Sequence, residues 1–292
     1  MTNFAFERYV APTTLEQAAE ILRAGNVTVL AGGTDLMPQS RSGKLKLQPV
    51  LMNVRRVAEL RGIAVAEGVA RIGALATMTE LMENEIVRRH MSVLAEAADH
   101  FASDQLRNAG TLGGNICNAS PAGDMLIPLL VLEAEVELAS KADGSLKTRT
   151  LPIRDFFTGP GRTRREPQEL LTAVRVRLPP PGFVAKFYKT GSRPALDIAA
   201  ISIGIGGVRQ GGALTGVRVA FGAVAPTPIR APKTEAALES RRLDEATIAA
   251  AAEAARDEVR PISDFRASAW YRKELVRNMT RRILEDVAAS GN

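Results

Sequence analysis

The spacing of hydrophobic and polar residues predicts short strands and helices along the first part of the chain. Apolar residues recur at helical spacing from Leu15 to Leu22, which predicts a helix that begins at a capping box of Thr13 and Glu16 and ends at Gly25. Apolar or alternating runs predict strands at Val27–Ala31, Pro49–Val54, Ile63–Ile72 (a hairpin folded at Glu67-Gly68), Glu135–Ala139, Thr148–Ile153 (after an Asp143-Gly144 turn) and Leu170–Leu178. Helical patterns cover Thr79–Phe101 and Asp124–Leu132, and a glycine-rich loop is expected at Gly110–Asn115.

The clearest linker is Pro179-Pro180-Pro181-Gly182. The pattern beyond it predicts three strands joined by glycine turns, at Phe183–Tyr188, Ile198–Val208 and Leu214–Ala223, and then two helices, at Asp244–Val259 and Ala267–Ala288. Strands and helices do not alternate regularly, as they would in a doubly wound sheet. The pattern therefore predicts an α+β fold with more than one domain.

The composition of the chain argues against several classes of function. The chain has 292 residues and a formal charge of +6, but only 4% aromatic residues, which argues against the stacking surfaces of nucleic-acid-binding proteins. Cys117 is the single cysteine, so the chain has no internal disulfide and holds no cysteine-ligated iron–sulfur cluster. The longest apolar stretch, Met125–Leu132, is far short of the ~20 residues of a membrane helix. The residues from Met1 to Arg8 lack a signal-peptide pattern, so we expect a cytoplasmic protein without a membrane span.

Two glycine-rich segments follow apolar stretches and have the composition of phosphate-binding turns. They are Val29–Leu36, which contains Gly32-Gly33-Thr34-Asp35, and Gly110–Asn115, which contains Thr111-Leu112-Gly113-Gly114. Glycine has no Cβ to block a close approach, and successive backbone N–H groups form a concavity that binds anions. Each segment alone is equally well an ordinary tight turn, whereas the two together favour a bound dinucleotide.

Other motifs point to common structural roles. Neither glycine segment continues into a Walker A sequence, and Gly204-Ile205-Gly206-Gly207 leads into a polar turn rather than the helix of a Rossmann fingerprint, so we interpret it as a strand bend. His90 and His100 have no third metal ligand nearby in sequence. We expect Cys117 to be a small buried residue near the cofactor. Arg162–Glu166 is a solvated loop or, alternatively, a docking site for an acidic partner.

The two glycine segments resemble those of the FAD-binding medium subunit of the molybdenum hydroxylases, the family of xanthine dehydrogenase and carbon monoxide dehydrogenase. The resemblance covers essentially the whole chain. The motifs that carry it are Ala31–Leu36, Leu106–Ile116, Ala119–Asp124, Glu169–Leu171, Phe187–Lys189 with Asp197–Ala199, and Ala267–Lys273. Their order along the chain makes the resemblance specific.

The resemblance implies a two-lobed FAD-binding domain of the vanillyl-alcohol oxidase (PCMH) type at residues 1–178, with lobes at about 1–54 and 55–178. A small domain with a three-stranded antiparallel sheet and helices would follow at residues 179–292. The implied FAD-contacting residues are Val29, Leu30, Ala31, Gly32, Gly33, Thr34, Asp35, Leu36, Phe101, Thr111, Leu112, Gly113, Gly114, Asn115, Asn118, Asp124, Leu171 and Lys189. Lys189 would place a positive charge near the flavin, unless it is an ordinary solvated strand lysine. No residue of the chain is expected to be catalytic or to bind a metal.

The resemblance also implies partner chains. Electrons would pass from a molybdopterin-binding large subunit, through [2Fe–2S] clusters on a small subunit, to FAD on this chain and then to an external acceptor. Such subunits would assemble as a dimer of heterotrimers. Two alternatives are a self-sufficient FAD-dependent oxidase or reductase on the same fold and a scaffold with vestigial loops. The first needs an acid or base over the flavin, and the C-terminal region contains no histidine.

Overall fold

The chain mixes helices and strands without regular alternation. The computed structural model describes residues 6–193 and 196–289, and within these ranges it contains three main sheets and a small two-stranded one. The expected α+β class is therefore confirmed. Residues 1–5, the greater part of the segment that lacks a signal-peptide pattern, lie outside the described residues.

The first sheet has three parallel strands in the order β1–β3–β2, namely β1 (Arg8–Val10), β2 (Val27–Leu30) and β3 (Val50–Asn53). Helix α1 (Leu15–Arg23) connects β1 with β2, and its apolar face shares one core cluster with Met52 of β3 and with Ala139 and Leu170 later in the chain. Its N-cap is Thr14, one residue later than predicted, because the Thr14 side chain accepts the Gln17 amide while Gln17 accepts the amide of Thr13. After β2, the Gly32–Asp35 loop enters the short helix α2 (Leu36–Arg41).

The second sheet is antiparallel, in the order β4–β5–β10–β6–β7. Its strands are β4 (Ile63–Ala66), β5 (Val69–Gly73), β6 (Glu135–Ala142), β7 (Ser145–Pro152) and β10 (Leu170–Arg177), while β8 (Phe157–Gly159) pairs with β9 (Arg162–Thr163). Both predicted hairpins are confirmed. Each turns on two residues with positive φ, Glu67-Gly68 and Asp143-Gly144, which is the geometry that matches the twist of the flanking strands.

Besides α1, α2 and two 3₁₀ turns (Ala58–Leu60 and Ile153–Asp155), six α-helices lie within residues 6–180. They are α3 (Met78–Glu83), α4 (Glu85–His90), α5 (Ser92–Asp99), α6 (Asp104–Arg107), α7 (Leu112–Asn118) and α8 (Leu126–Val131). The prediction of a loop through Asn115 is wrong in one respect, because α7 begins at Leu112 with Thr111 as its N-cap. Helix α8 is shorter than predicted and wholly buried, and Pro128 fits within its first turn, where an amide has no intrahelical acceptor.

The third sheet is built from the residues after the linker. Its strands are β11 (Phe183–Thr190), β12 (Ile201–Gln210), β13 (Ala213–Gly222) and β14 (Ile229–Arg230), and the helices are α9 (Pro232–Leu238), α10 (Glu245–Glu258) and α11 (Ala269–Ala289). The three long antiparallel strands agree with the expectation, and the two-residue β14 adds a short fourth strand at the edge. Helices α10 and α11 cover one face of this sheet and share its apolar core.

The glycines of β12 have a packing role. A Cβ at Gly204 would lie 2.9 Å from methyl carbons of both Ile127 and Val131, so only glycine lets α8 approach the strand this closely. The register of β12 against β13 also shifts between Gly206 and Val208. The interpretation of this segment as an irregular strand, rather than a nucleotide-binding turn, agrees with both features.

Candidate functional site

A cavity of about 420 Å³ lies between the first sheet and the second, within the size range of ligand sites. Most of the residues implied by the resemblance line it. Those residues are Val29, Ala31, Gly32, Gly33, Thr34, Asp35, Leu36, Phe101, Thr111, Gly113, Gly114, Asn115, Asn118 and Leu171. The fold thus brings both glycine segments, which are separated by about 80 residues of sequence, to one cavity.

The first segment exposes consecutive backbone donors. Strand β2 ends at Leu30, and Gly33 adopts a positive φ of 74° before α2 begins at Leu36. Across residues 6–193 and 196–289, no protein acceptor is hydrogen-bonded to the N–H groups of Gly32, Gly33 or Thr34. Successive free amides in a turn of this kind form an anion-binding concavity. The segment therefore has the geometry to hold a pyrophosphate.

The two segments are in direct contact at Gly32. A Cβ at this position would lie 1.9 Å from the carbonyl oxygen of Ala109 and 3.3 Å from Cα of Gly110. No side chain larger than hydrogen fits there without separating the segments. A glycine at position 32 is therefore required for the contact between the two segments, in addition to allowing a ligand to approach the backbone.

The second segment differs from the first because its amides are mostly occupied. The N–H groups of Leu112 and Gly113 donate to the carbonyl oxygens of Ala76 and Ala74 at 2.8 Å and 2.9 Å. The Gly114 amide donates to the Thr111 hydroxyl at 3.1 Å, which caps the helix. These bonds fasten α7 to the second sheet. The segment consequently faces the cavity mainly through the side chains of α7.

Two asparagines of α7 supply polar atoms to this wall of the cavity. Asn115 is buried, and its Oδ1 atom accepts no hydrogen bond in the part of the chain that the structure describes. An unpaired buried carbonyl oxygen costs about 1–3 kcal/mol, which a ligand donor at this place would recover. Asn118 Oδ1 accepts a hydrogen bond of 3.0 Å from Gln39 Nε2, which links α7 to α2 across the cavity.

Replacement of Asn115 by Leu, a side chain of similar size, tests whether this oxygen serves a ligand. We expect FAD to bind about 5- to 150-fold more weakly, because the partner of a ligand donor is lost. The ligand-free variant should be as stable as the parent or more stable, because the unpaired oxygen is gone. Fluorescence titration with FAD and urea unfolding of the apoprotein measure the two effects. Equal loss of stability and affinity would identify Asn115 as a packing residue only.

Four residues implied by the resemblance do not line the cavity. Leu112 is fully buried in the core, and Leu30 packs beneath Gly33. Asp124 and Lys189 lie outside the cavity wall but contact each other, with Lys189 Nζ 2.7 Å from Asp124 Oδ2. This contact joins the residues before α8 to strand β11.

The Asp124–Lys189 pair is an internal ion pair rather than a solvated lysine. Each side chain is only 9% exposed, and Lys189 Nζ also donates to the carbonyl oxygen of His100 at 3.2 Å. Burial raises the pKa of Asp124, although the Lys189 ammonium opposes this rise. The Asp124 carboxylate balances the charge of the Lys189 ammonium, so the pair adds no net charge, and the position of Lys189 near the flavin stays a prediction.

Several lining residues were not found by sequence analysis. Arg165 lines the cavity, and its Nη1 atom donates to the carbonyl oxygens of Glu166 and Glu169, so this arginine is held against the wall and is not part of a solvated loop. Lys46 adds a second cation to the lining. Cys117 was expected to be a buried residue near the cofactor. It does line the cavity, but the expected burial is wrong, because its position near the end of α7 exposes it to the cavity.

Acidic side chains also reach the cavity. Burial raises the pKa of Asp35, although the Gln39 side chain and Lys44 lower it. Glu169 is buried and accepts two hydrogen bonds from Arg149, at 2.5 Å and 2.8 Å, and despite its burial these bonds hold its pKa below the usual value. Glu169 is therefore charge-compensated by the protein itself.

No group of three or more metal-ligating side chains occurs within residues 6–193 and 196–289. Nor is any helix in these ranges long and apolar enough to cross a membrane.

The chain is similar to known proteins over nearly its whole length. Residues 3–180 match the family described as the FAD binding domain in molybdopterin dehydrogenase, and residues 186–287 match the carbon monoxide dehydrogenase flavoprotein C-terminal domain. The chain is 36% identical, over 99% of its length and 98% of the relative, to the xanthine dehydrogenase FAD-binding subunit of Escherichia coli O157:H7.

Solved structures have the same fold. A carbon monoxide dehydrogenase chain from Hydrogenophaga pseudoflava superposes with a TM-score of 0.90 at 30% identity, over 95% of this chain and 96% of that one. Quinoline 2-oxidoreductase from Pseudomonas putida 86 gives a TM-score of 0.90 at 29% identity, over 98% of both chains.

The fold and the cavity define a flavoprotein with an FAD-binding domain followed by a smaller C-terminal domain. The chain belongs to the FAD-binding subunits of the molybdenum hydroxylases, the family of xanthine dehydrogenase and carbon monoxide dehydrogenase.

Proposed function

We propose that this chain is the electron-transfer subunit of a heteromeric molybdenum-containing hydroxylase or dehydrogenase. It accepts electrons from [2Fe–2S] clusters on a partner subunit and passes them to an external acceptor through FAD. The observation that carries the proposal is the joined pair of glycine segments around one cavity, in a chain whose full-length relatives are named FAD-binding subunits or medium chains.

The residues of the cavity fit FAD. The free amides of Gly32, Gly33 and Thr34 would hold the pyrophosphate, and Asn115 Oδ1 would accept from a ligand donor. Phe101 and Leu171 supply apolar surface, while Arg165 and Lys46 supply positive charge for an anionic ligand. Bound FAD would supply the redox chemistry, taking up electrons singly and releasing them in pairs. The role of the chain is to bind, orient and enclose the cofactor.

Other cofactors of the enzyme belong on other chains under this proposal. Iron–sulfur clusters need several cysteine ligands, and the chain has only Cys117. We therefore assign the clusters to a small subunit and the molybdopterin to a large one, in a dimer of heterotrimers. We assign FAD binding to residues 1–178 and the C-terminal domain to residues 179–292.

A self-sufficient flavoenzyme on the same fold is the second candidate. It would need a titratable acid or base placed over the flavin. Both histidines, His90 and His100, precede the C-terminal domain, and the buried carboxylate Asp124 is already engaged by Lys189. These features favour a relay of electrons over substrate chemistry on this chain.

Experiments on the purified chain test the proposed electron-transfer role. Acid release followed by chromatography should yield FAD and no FMN. Dithionite should bleach the bound flavin, whereas aldehydes and N-heterocycles should not. The molybdopterin and [2Fe–2S] subunits should together restore bleaching by the substrate of the enzyme. Turnover of an organic substrate by the isolated chain would establish the self-sufficient flavoenzyme instead.

A further inference from the structure

An exposed cluster of large apolar residues lies where the C-terminal domain enters its last helix. Ile262, Phe265, Trp270 and Tyr271 are 70%, 88%, 68% and 45% exposed. All four lie within the ten residues 262–271, and we call these four residues the aromatic turn. Single exposed apolar residues are ordinary, but a contiguous set of large ones is typical of an interaction surface.

The aromatic turn is held in a fixed conformation by internal polar bonds. Asp264 Oδ1 accepts the amides of Arg266 and Ala267, at 2.9 Å and 3.2 Å. The buried Arg272 donates to the same oxygen at 2.8 Å and also donates to the carbonyl oxygen of Ile262 at 3.3 Å. Because these bonds fix the backbone of the turn, less backbone entropy is lost when a partner binds.

The exposed area is large enough for the centre of an interface. At about 150–250 Å² per aromatic side chain, the exposed fractions of Phe265, Trp270 and Tyr271 amount to about 300–500 Å². A stable interface buries about 800 Å² on each partner, with aromatic and arginine residues at its centre. The aromatic turn therefore supplies roughly half of one side.

Charge around the aromatic turn selects the kind of partner. Arg260 and Arg266 are exposed and Lys273 is partly exposed around the turn. Of the four acids in residues 257–274 only Asp257 is exposed, because Glu258, Asp264 and Glu274 are bonded within the protein to Thr234, Arg272 and Arg256. The surface near the turn therefore carries an excess of positive charge. The Arg266 guanidinium lies 4.2 Å from the ring centre of Phe265. A two-fold pairing with a second copy of this chain would bring like charges together, which opposes self-association.

We propose that the aromatic turn is the docking surface for an apolar pocket, rimmed by Asp and Glu, on another subunit of the same enzyme. The inference rests on the proposed function, which supplies the partner. In the complex, Phe265 and Trp270 fill the pocket, and Arg260, Arg266 and Lys273 face its acidic rim.

Hydroxyl-radical footprinting of the assembled enzyme tests the contact directly. Side chains of the aromatic turn should be oxidised in the isolated chain and protected when the molybdopterin and [2Fe–2S] subunits are bound. Tyr9 is 52% exposed in a different part of the fold and serves as an internal reference that should stay reactive.

Variants measure the contribution to affinity. Trp270→Ala and Phe265→Ala should each weaken association with the two-subunit partner complex by about thirtyfold, the effect of losing a hot-spot aromatic. Lys273→Glu should weaken association more at low salt than at high salt, because salt screens the interaction between residue 273 and the acidic groups of the partner. Leu146→Ala, at a residue 39% exposed on the β6–β7 hairpin, is the matched control and should leave association unchanged.

The outcomes separate the two proposals. An assembled enzyme in which the aromatic turn stays fully reactive overturns this inference and leaves the proposed function intact. Absence of any assembly with the two subunits overturns both. Sedimentation of the isolated chain as a dimer that Trp270→Ala dissociates, or binding to vesicles of phosphatidylcholine and phosphatidylserine that Trp270→Ala abolishes, would show a different occupant and overturn the inference.

Discussion

Gly32→Ala is expected to cost at least about 3 kcal/mol of folding stability, the upper end of overpacking effects. The added methyl would lie 1.9 Å from the Ala109 carbonyl oxygen. Neither group can rotate away, because the backbone fixes the position of the Cβ and the carbonyl oxygen is itself a backbone atom. The two segments must separate, so FAD should bind more than about 100-fold more weakly. Urea unfolding of the apoprotein and flavin content after purification measure these effects.

A matched substitution distinguishes a steric effect from a general intolerance of alanine. Gly159→Ala places its Cβ no closer than 3.9 Å to a neighbour, Arg162 Cδ, and should change stability and flavin content little. Gly113 is not a suitable probe of the cofactor, because its Cβ would meet Ala74 at 2.7 Å and disturb the protein first. If Gly32→Ala retains full FAD occupancy, the contact between the segments is not required for binding.

Lys189→Met is expected to destabilise the protein by about 3–5 kcal/mol near neutral pH, the effect of leaving a buried charge without its partner. The pKa of Asp124, already raised by burial, should rise further when the Lys189 ammonium no longer opposes the shift. A folded-state pKa above the unfolded value means that the folded protein binds the extra proton. The penalty should therefore be smallest at low pH and should grow as pH rises through the raised pKa.

Urea unfolding between pH 5 and pH 8 measures the penalty and its pH dependence. The double variant Asp124→Leu with Lys189→Met removes both charges and should recover most of the lost stability. Lys186→Met is the matched control, because Lys186 is 44% exposed and 3.9 Å from Glu96, where an ion pair contributes at most about 1 kcal/mol. Equal penalties for the single and double variants would mean that the pair is not coupled.

Local sequence patterns determined most of the secondary structure. The two hairpins were predicted at the right residues, because turns at Glu67-Gly68 and Asp143-Gly144 join alternating strands of matched length. The helix predicted at Asp244–Val259 corresponds to α10, where Asp244 is the N-cap and accepts the Thr247 amide. Turns and helix caps depend on a few neighbouring residues only, so the sequence alone is sufficient to locate them.

The two glycine segments were recognised from sequence, but their different roles were not. The amides of Gly32 and Gly33 are free, whereas those of Leu112 and Gly113 are bonded to Ala76 and Ala74. Composition is alike in both segments, and what differs is the neighbouring chain that each one meets. Hydrogen-bond partners supplied by distant residues leave no mark on a local pattern.

Tertiary structure alone decided the charge and exposure of the key side chains. Asp124 and Lys189 are 65 residues apart and pair because α8 packs against the glycines of β12 and brings β11 alongside. Arg165 reaches the cavity from a segment whose sequence does not mark it as a cavity-lining residue, and the exposure of Cys117 to the cavity was likewise not predicted. The sequence determines which polar and ionisable side chains are present. Their burial and pairing depend on long-range packing, which determines how much solvent surrounds each side chain.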